Sequence, residues 1–294
     1  MTNSILVTGG TGQLASALAA AGGIHRVGRP DFDFDRPRTI ETVFRAAAPR
    51  LVVNAAAYTG VDAAENDADA AFRANRDGPA LLARLCAEAN VPLIHISTDY
   101  VFDGTKTDPY VEADLVAPQG VYGASKLAGE QAIMRSDAKA IILRAAWVYA
   151  TTGKNFVRTM LTLGKTRDRL TVVSDQHGCP TAAADLADAI RAIIARIDAG
   201  GWQPNYRGIF HAAGTGATTW FGLAVATFEE ASRYGAKVPD VAPILTTEWP
   251  TPAKRPANSR LDSTRLHDVF GVRFPPWRTS LARTVEIIFA AAPL

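Results

Sequence analysis

Ser4-Ile5-Leu6-Val7-Thr8-Gly9-Gly10-Thr11-Gly12-Gln13-Leu14-Ala15 begins as an apolar run, breaks into glycines and continues as a helical pattern over residues 14–21. A buried strand that turns on glycine into a helix brings backbone N–H groups and a partial positive charge to one point, which suits a pyrophosphate. The glycines, Gly9 and Gly12 among them, therefore read as a dinucleotide turn. Ala15 stands where a third glycine would let helix pack on strand, and alanine is the mildest replacement there. A tight turn before a purely structural helix is the plainer alternative.

The rest of the chain favours the ligand reading. Strands over 24–28, 51–54 and 91–97 alternate with helices over 38–47, 68–76 and 80–90. Such repetition requires a parallel sheet with helices on both faces and ligands at the C-terminal strand ends. The fold expected is α/β, a Rossmann-type doubly wound parallel sheet with a smaller C-terminal substrate-binding lobe. Residues 1–150 form the dinucleotide-binding core in this reading, joined by returning segments from 170–212, and 151–294 mainly form the lobe. The second half reads as helices over 155–164, 182–198, 219–234 and 281–290, with strands over 170–174 and 209–212. Past the third strand come Asn54-Ala55-Ala56-Ala57-Tyr58, small residues against whose backbone a cofactor can lie.

Composition narrows the partners. The 294 residues are 48% hydrophobic and 20% charged, and 31 Lys+Arg against 29 Asp+Glu leave a formal net charge of +2. No long basic or acidic run is present, so a small-molecule partner is expected and a nucleic acid is not. Cys86 and Cys179 form no Cys-x-x-Cys and the N-terminus enters a strand directly, so a cytoplasmic location is expected. The apolar run 141–148 is short and interrupted by Arg144, which argues against a membrane partner. Cys86 reads as a buried small hydrophobe, and His177, Cys179 and His211 have no zinc spacing.

Chemistry concentrates between Ser97-Thr98-Asp99-Tyr100-Val101-Phe102-Asp103-Gly104 and Val121-Tyr122-Gly123-Ala124-Ser125-Lys126. If Tyr122 opens a helix, Lys126 lies over the same face. An ammonium beside a phenol favours phenolate, lowering the pKa of Tyr122 and fitting it for proton transfer. Thr98, at a strand end, brings a hydroxyl to the same point.

With these motifs the chain resembles the dTDP-4-dehydrorhamnose reductases, a branch of the extended short-chain dehydrogenase/reductases. The resemblance also takes in Val61-Asp62-x-Ala64-Glu65, Arg144-x-x-Trp147-Val148-Tyr149, Asn155-Phe156, Asp175-Gln176-x-Gly178-x-Pro180-Thr181 and Arg255-Pro256-x-Asn258-Ser259. It implies NADPH-dependent reduction of the C4 ketone of dTDP-4-dehydro-6-deoxy-L-mannose, with NADH also accepted. Tyr122 is then the proton donor, Thr98 a partner of the carbonyl oxygen, and Lys126 a contact of the nicotinamide ribose. Thr11, Gln13 and Leu14 join the glycines and Ala55–Tyr58 at the cofactor. Arg29 faces the phosphate of NADP, and Asp33 and Phe34 border the adenine end. Val61, Thr98, Asp99, Trp147, Asn155 and Arg255 fall to the dTDP-sugar, Arg255 at its pyrophosphate; Trp147 reads equally as a core aromatic. Residues 214–256 are expected to cover the sugar nucleotide.

Two alternatives stay open. One is a non-enzymatic dinucleotide-binding subunit like the regulatory subunit of methionine adenosyltransferase. The other is a sugar-nucleotide epimerase or dehydratase, although Asp99-Tyr100 is not the Asp-Glu pair expected of a dehydratase. Some relatives dimerise through magnesium held by carboxylates, and here those places align with Ala17, Ala184 and an acid-free tail over 288–294. Asp185 is one residue away, turned roughly 100° on a helix. No metal and no metal-bridged homodimer are expected.

Overall fold

The computed structural model describes residues 4–20 and 22–291. Its centre is a sheet of β1 (Ile5–Thr8), β2 (Ile24–Val27), β3 (Leu51–Asn54), β4 (Leu93–Thr98), β5 (Ala140–Ala145) and β6 (Gly208–His211). Every neighbouring pair is parallel, in the order β6-β5-β4-β3-β1-β2. The chain runs outward from β1 to β2 and then crosses to β3 on the other side. That reversal opens a crevice at the C-terminal strand ends, where such sheets bind ligands.

Both faces of the sheet are covered, which is why its strands read as nearly unbroken apolar runs. Side chains alternate with the period of two: Val53 packs with Leu14, Leu18, Leu186 and Ile190 on one face, and Val52 with Ile40, Phe44, Leu82 and Ile133 on the other. The glycine turn leads into the helix Gln13–Ala19; Ala21, the last residue of the expected helix, lies outside the described residues.

The helices expected over 68–76 and 80–90 are one helical run from Ala68 to Glu88, with a π turn at Arg73–Asp77. The turn presents Asn75 inward, where its amide bonds both backbone groups of Tyr58 and the Ser125 hydroxyl. Against it lies the helix Val121–Arg135. A Cβ on Gly129 would meet the Asn75 carbonyl oxygen at 2.0 Å, so only glycine permits this approach.

One expectation about the second half needs correcting. The strand Arg169–Val173 does not return to the central sheet but pairs in parallel with Asp240–Ile244. What does return is the helix Ala183–Gly200, which covers one face, followed by β6. Around the separate strand pair, Met160, Leu170, Val172, Ala224 and Phe228 form a small apolar core of their own. Among the described residues, no helix is long and apolar enough to cross a membrane.

Candidate active site

A cleft of about 1360 Å³ opens at the switch point. Its floor is the glycine turn, where Gly10 N–H bonds Val27 O and Gly12 N–H bonds Gly9 O, each at 2.8 Å. Gly9 and Gly10 have φ of +109° and +52°, and a Cβ on Gly28 would come within 2.5 Å of Gly10 Cα. Side chains are thus excluded from a cradle in which backbone can touch a ligand. The Thr8 hydroxyl donates to Asn54 Oδ1 at 2.6 Å and accepts from Ala56 N–H at 3.2 Å, tying the turn to the Ala55–Tyr58 wall. Gln13 Oε1 is buried here with no partner among the described residues. The glycine cradle and this unsatisfied acceptor fit a dinucleotide held by Gly9, Thr11, Gly12, Gln13, Leu14, Ala55, Ala56, Ala57 and Tyr58, all lining the cleft.

Thr98, Tyr122 and Lys126 line the same cleft. Tyr100 packs edge-on against the Tyr122 ring at 5.5 Å. Burial pushes the Tyr122 hydroxyl up to about 12; the Thr98 hydroxyl opposes this and the Asp99 charge adds to it. The expectation that Lys126 holds this pKa down is therefore corrected. Lys126 Nζ donates to Ile96 O at 2.6 Å and lies 3.3 Å from His95 Nε2, so its amine is spent on β4. Burial lowers Lys126 to about 8, against the opposing charge of Glu130.

The cofactor's far end differs from expectation at Asp33. Phe34 lines the cleft beside Asp31 and Phe32, but Asp33 does not. Its carboxylate turns instead to Arg29 at 3.2 Å and to the Asp35 N–H at 3.1 Å. Arg29 lines the cleft, yet its guanidinium also meets Asp35 at 3.4 Å. Because these carboxylates already offset its charge, Arg29→Ala is expected to lower the NADPH-to-NADH ratio of kcat/KM only about threefold to tenfold. An unchanged ratio in paired kinetics would reduce Arg29 to a brace for this loop.

The whole chain has close counterparts among known proteins. A family model described as the RmlD substrate binding domain matches residues 2–289. The chain belongs to this family. A dTDP-4-dehydrorhamnose reductase of Sinorhizobium fredii is 45% identical over 285 residues, covering 96% of each chain. The enzyme of that name from Escherichia coli K12 is 38% identical over 305 residues, covering 99% of this chain and 100% of its own. A crystal structure of a dTDP-4-dehydrorhamnose reductase from Clostridium acetobutylicum superposes with a TM-score of 0.88 at 36% identity, covering 97% of this chain and 99% of its own. One from Bacillus anthracis, in complex with NADP, gives 0.88 at 32% identity, covering 99% and 100%.

Of the residues that the family resemblance gives to the sugar, Val61, Thr98, Asp99 and Trp147 line the cleft. Trp147 adopts φ of +50° and stacks on Trp220 at 3.6 Å between ring centroids, with Gly178 beneath it where a Cβ would clash at 2.3 Å. Asn155 and Arg255 are elsewhere. Asn155 caps the helix Phe156–Thr166, accepting from Arg158 N–H and donating to Ala150 O. Arg255 forms a two-pronged pair with Asp62 at 2.8 and 3.0 Å, which satisfies the charge meant for a pyrophosphate. Asp185 is buried and bonded to Ser280 and Arg283 of the helix Trp277–Ala291. Among the described residues no group of three His, Cys, Asp or Glu is placed to hold a metal; residues 292–294 of the expected acid-free tail lie outside them.

Sequence reading missed Trp220 and Lys154 in the cleft wall, and His95 and Asn75 behind it. Trp220 carried one usable signal, its place just after Thr219, whose hydroxyl caps the helix Trp220–Ser232.

Proposed function

We propose that this chain reduces the C4 ketone of dTDP-4-dehydro-6-deoxy-L-mannose to give dTDP-L-rhamnose, using NADPH and accepting NADH as well. The observation that carries this reading is the meeting of the glycine cradle with Thr98 and Tyr122 in one cleft, in a chain whose full length matches reductases of that name. The nicotinamide, when bound, supplies the hydride. Tyr122, protonated at neutral pH, gives its proton to the ketone oxygen, and Thr98 stabilises the charge developing there. Lys126 is within the same wall to meet the ribose once it leaves Ile96. The Trp147/Trp220 stack gives the deoxysugar an apolar side, and residues 151–294 mainly supply the sugar-nucleotide half of the site.

The test is to mix the protein with NADPH and the 4-keto sugar nucleotide and follow nicotinamide absorbance. Oxidation is expected only with both present. A free 4-ketosugar is expected to react far less efficiently, because remote contacts to the nucleotide position the carbon for transfer. Equal efficiency would remove the nucleotide from the recognition scheme.

The setting is a cytoplasmic enzyme with small-molecule partners, neither nucleic acid nor membrane. With alanine at 17 and 184 and Asp185 committed to Ser280 and Arg283, a magnesium-bridged dimer lacks its ligands. Light scattering is expected to give one mass with magnesium and with excess chelator; a dimer lost only in chelator would overturn this.

A further inference from the structure

The single hydrogen of the Thr98 hydroxyl is already committed within the protein. Its oxygen accepts from Tyr100 N–H at 3.2 Å and its hydrogen goes to Asp99 Oδ1 at 3.0 Å. A hydroxyl has one hydrogen and two lone pairs. With that hydrogen committed to Asp99, Thr98 has none to give to a ketone in the cleft. This direction suits an ionised Asp99, which only accepts. A neutral Asp99 reverses the bond. The lone pairs of Thr98 are then filled by Tyr100 N–H and the Asp99 O–H, and the hydrogen of Thr98 is free for the ketone oxygen.

The site of Asp99 tolerates the neutral form. The residue is 3% exposed and lines the cleft, and its Oδ2 is buried with no partner among the described residues. An orphan oxygen costs more on a carboxylate than on a neutral acid. The groups facing it are Thr98 and Tyr100 of its own segment, Tyr122, Cys179 and Ser259, none of them a cation. Arg255 acts on Tyr100 and Arg260 on Cys179, not on Asp99 itself. Burial pushes the Asp99 carboxyl up to about 6, with hydrogen bonds from Ser259 and Thr98 opposing.

We propose that Asp99 is a positioning residue for ketone reduction: its neutral form turns the Thr98 hydrogen toward the substrate oxygen, and its carboxylate draws that hydrogen away. The inference rests on the reduction proposed above. The ketone oxygen takes the Tyr122 proton and the phenolate is reprotonated by water, so each O–H bond broken is matched by one formed and Asp99 keeps its own proton throughout.

Rate–pH profiles of the wild type, Asp99→Asn and Ser259→Ala test this. In the wild type, kcat for reduction is expected to fall about tenfold per pH unit above the Asp99 titration. Asparagine can offer an N–H to Thr98 at every pH, so Asp99→Asn is expected to lose that limb in kcat whatever its effect on KM. Ser259→Ala removes a bond that favours the carboxylate and is expected to move the limb to higher pH, which keeps the test open if Asp99→Asn fails to fold. An unaltered limb in either variant overturns the role. So does a raised KM with an unchanged profile, which would leave Asp99 as a sugar contact alone. No turnover by the wild type would instead sink the reduction itself, and the role with it.

Discussion

Tyr122→Phe is expected to lower turnover by a factor on the order of 10²–10⁴ while leaving NADPH affinity nearly unchanged. The substitution removes one oxygen and keeps the ring, so the edge-on contact with Tyr100 survives. Thr98 also keeps Asp99 and Tyr100 N–H as partners, so the loss does not strand its hydroxyl. Because burial pushes the phenol up to about 12, it is in its acid form throughout the neutral range, as a donor to a forming alkoxide has to be. The fall in rate is therefore expected to be flat with pH near neutrality, without a new titration. Single-turnover kinetics with the 4-keto sugar nucleotide, set beside cofactor titration, separates chemistry from binding. Near-wild-type turnover would move the proton donor to another group.

Where each side chain had one strong constraint, sequence was enough to place it. The glycine turn, the small wall after β3 and Tyr122 were legible because backbone conformation and helix period fix them whatever the neighbours do. Lys126 shows the limit. Its spacing from Tyr122 put both on one helix face, but whether the amine meets the phenol or the Ile96 carbonyl depends on β4, which spacing does not encode. Arg255 and Asn155 are absent from the cleft lining for a related reason: Asp62 and the helix start at Phe156 engage their polar groups. The strand Arg169–Val173 was read correctly as a strand, yet its partner, Asp240–Ile244, lies far along the chain and gives no local signal. Trp220 reached the cleft through stacking on a tryptophan remote in sequence, a contact no periodicity announces.

Glu130→Gln is expected to destabilise the protein by about 3–5 kcal/mol, through the same buried layer that supports the helix carrying Tyr122. Glu130 and Arg144 are 1% and 2% exposed and meet through two bonds, at 2.9 and 2.7 Å. Ser97 adds a bond to the same carboxylate at 2.5 Å. The guanidinium lies 5.0 Å from the Phe102 ring centroid, and its Nη1 already lacks a partner among the described residues. An amide leaves a buried cation with no counter-charge, which costs more than the pair contributes over an apolar replacement. The single variant should therefore fall by on the order of 10 °C in Tm. Glu130→Leu combined with Arg144→Met should recover most of that loss, since neither charge then remains to be desolvated. Urea midpoints for the two single changes and the double change decide it: additive losses would mean that the pair is not coupled. The pair also bears on the site, because the Glu130 charge opposes the lowering of Lys126. In Glu130→Gln the lysine should deprotonate at lower pH, a shift that unfolding alone does not produce and that chemical modification of Lys126 against pH would register.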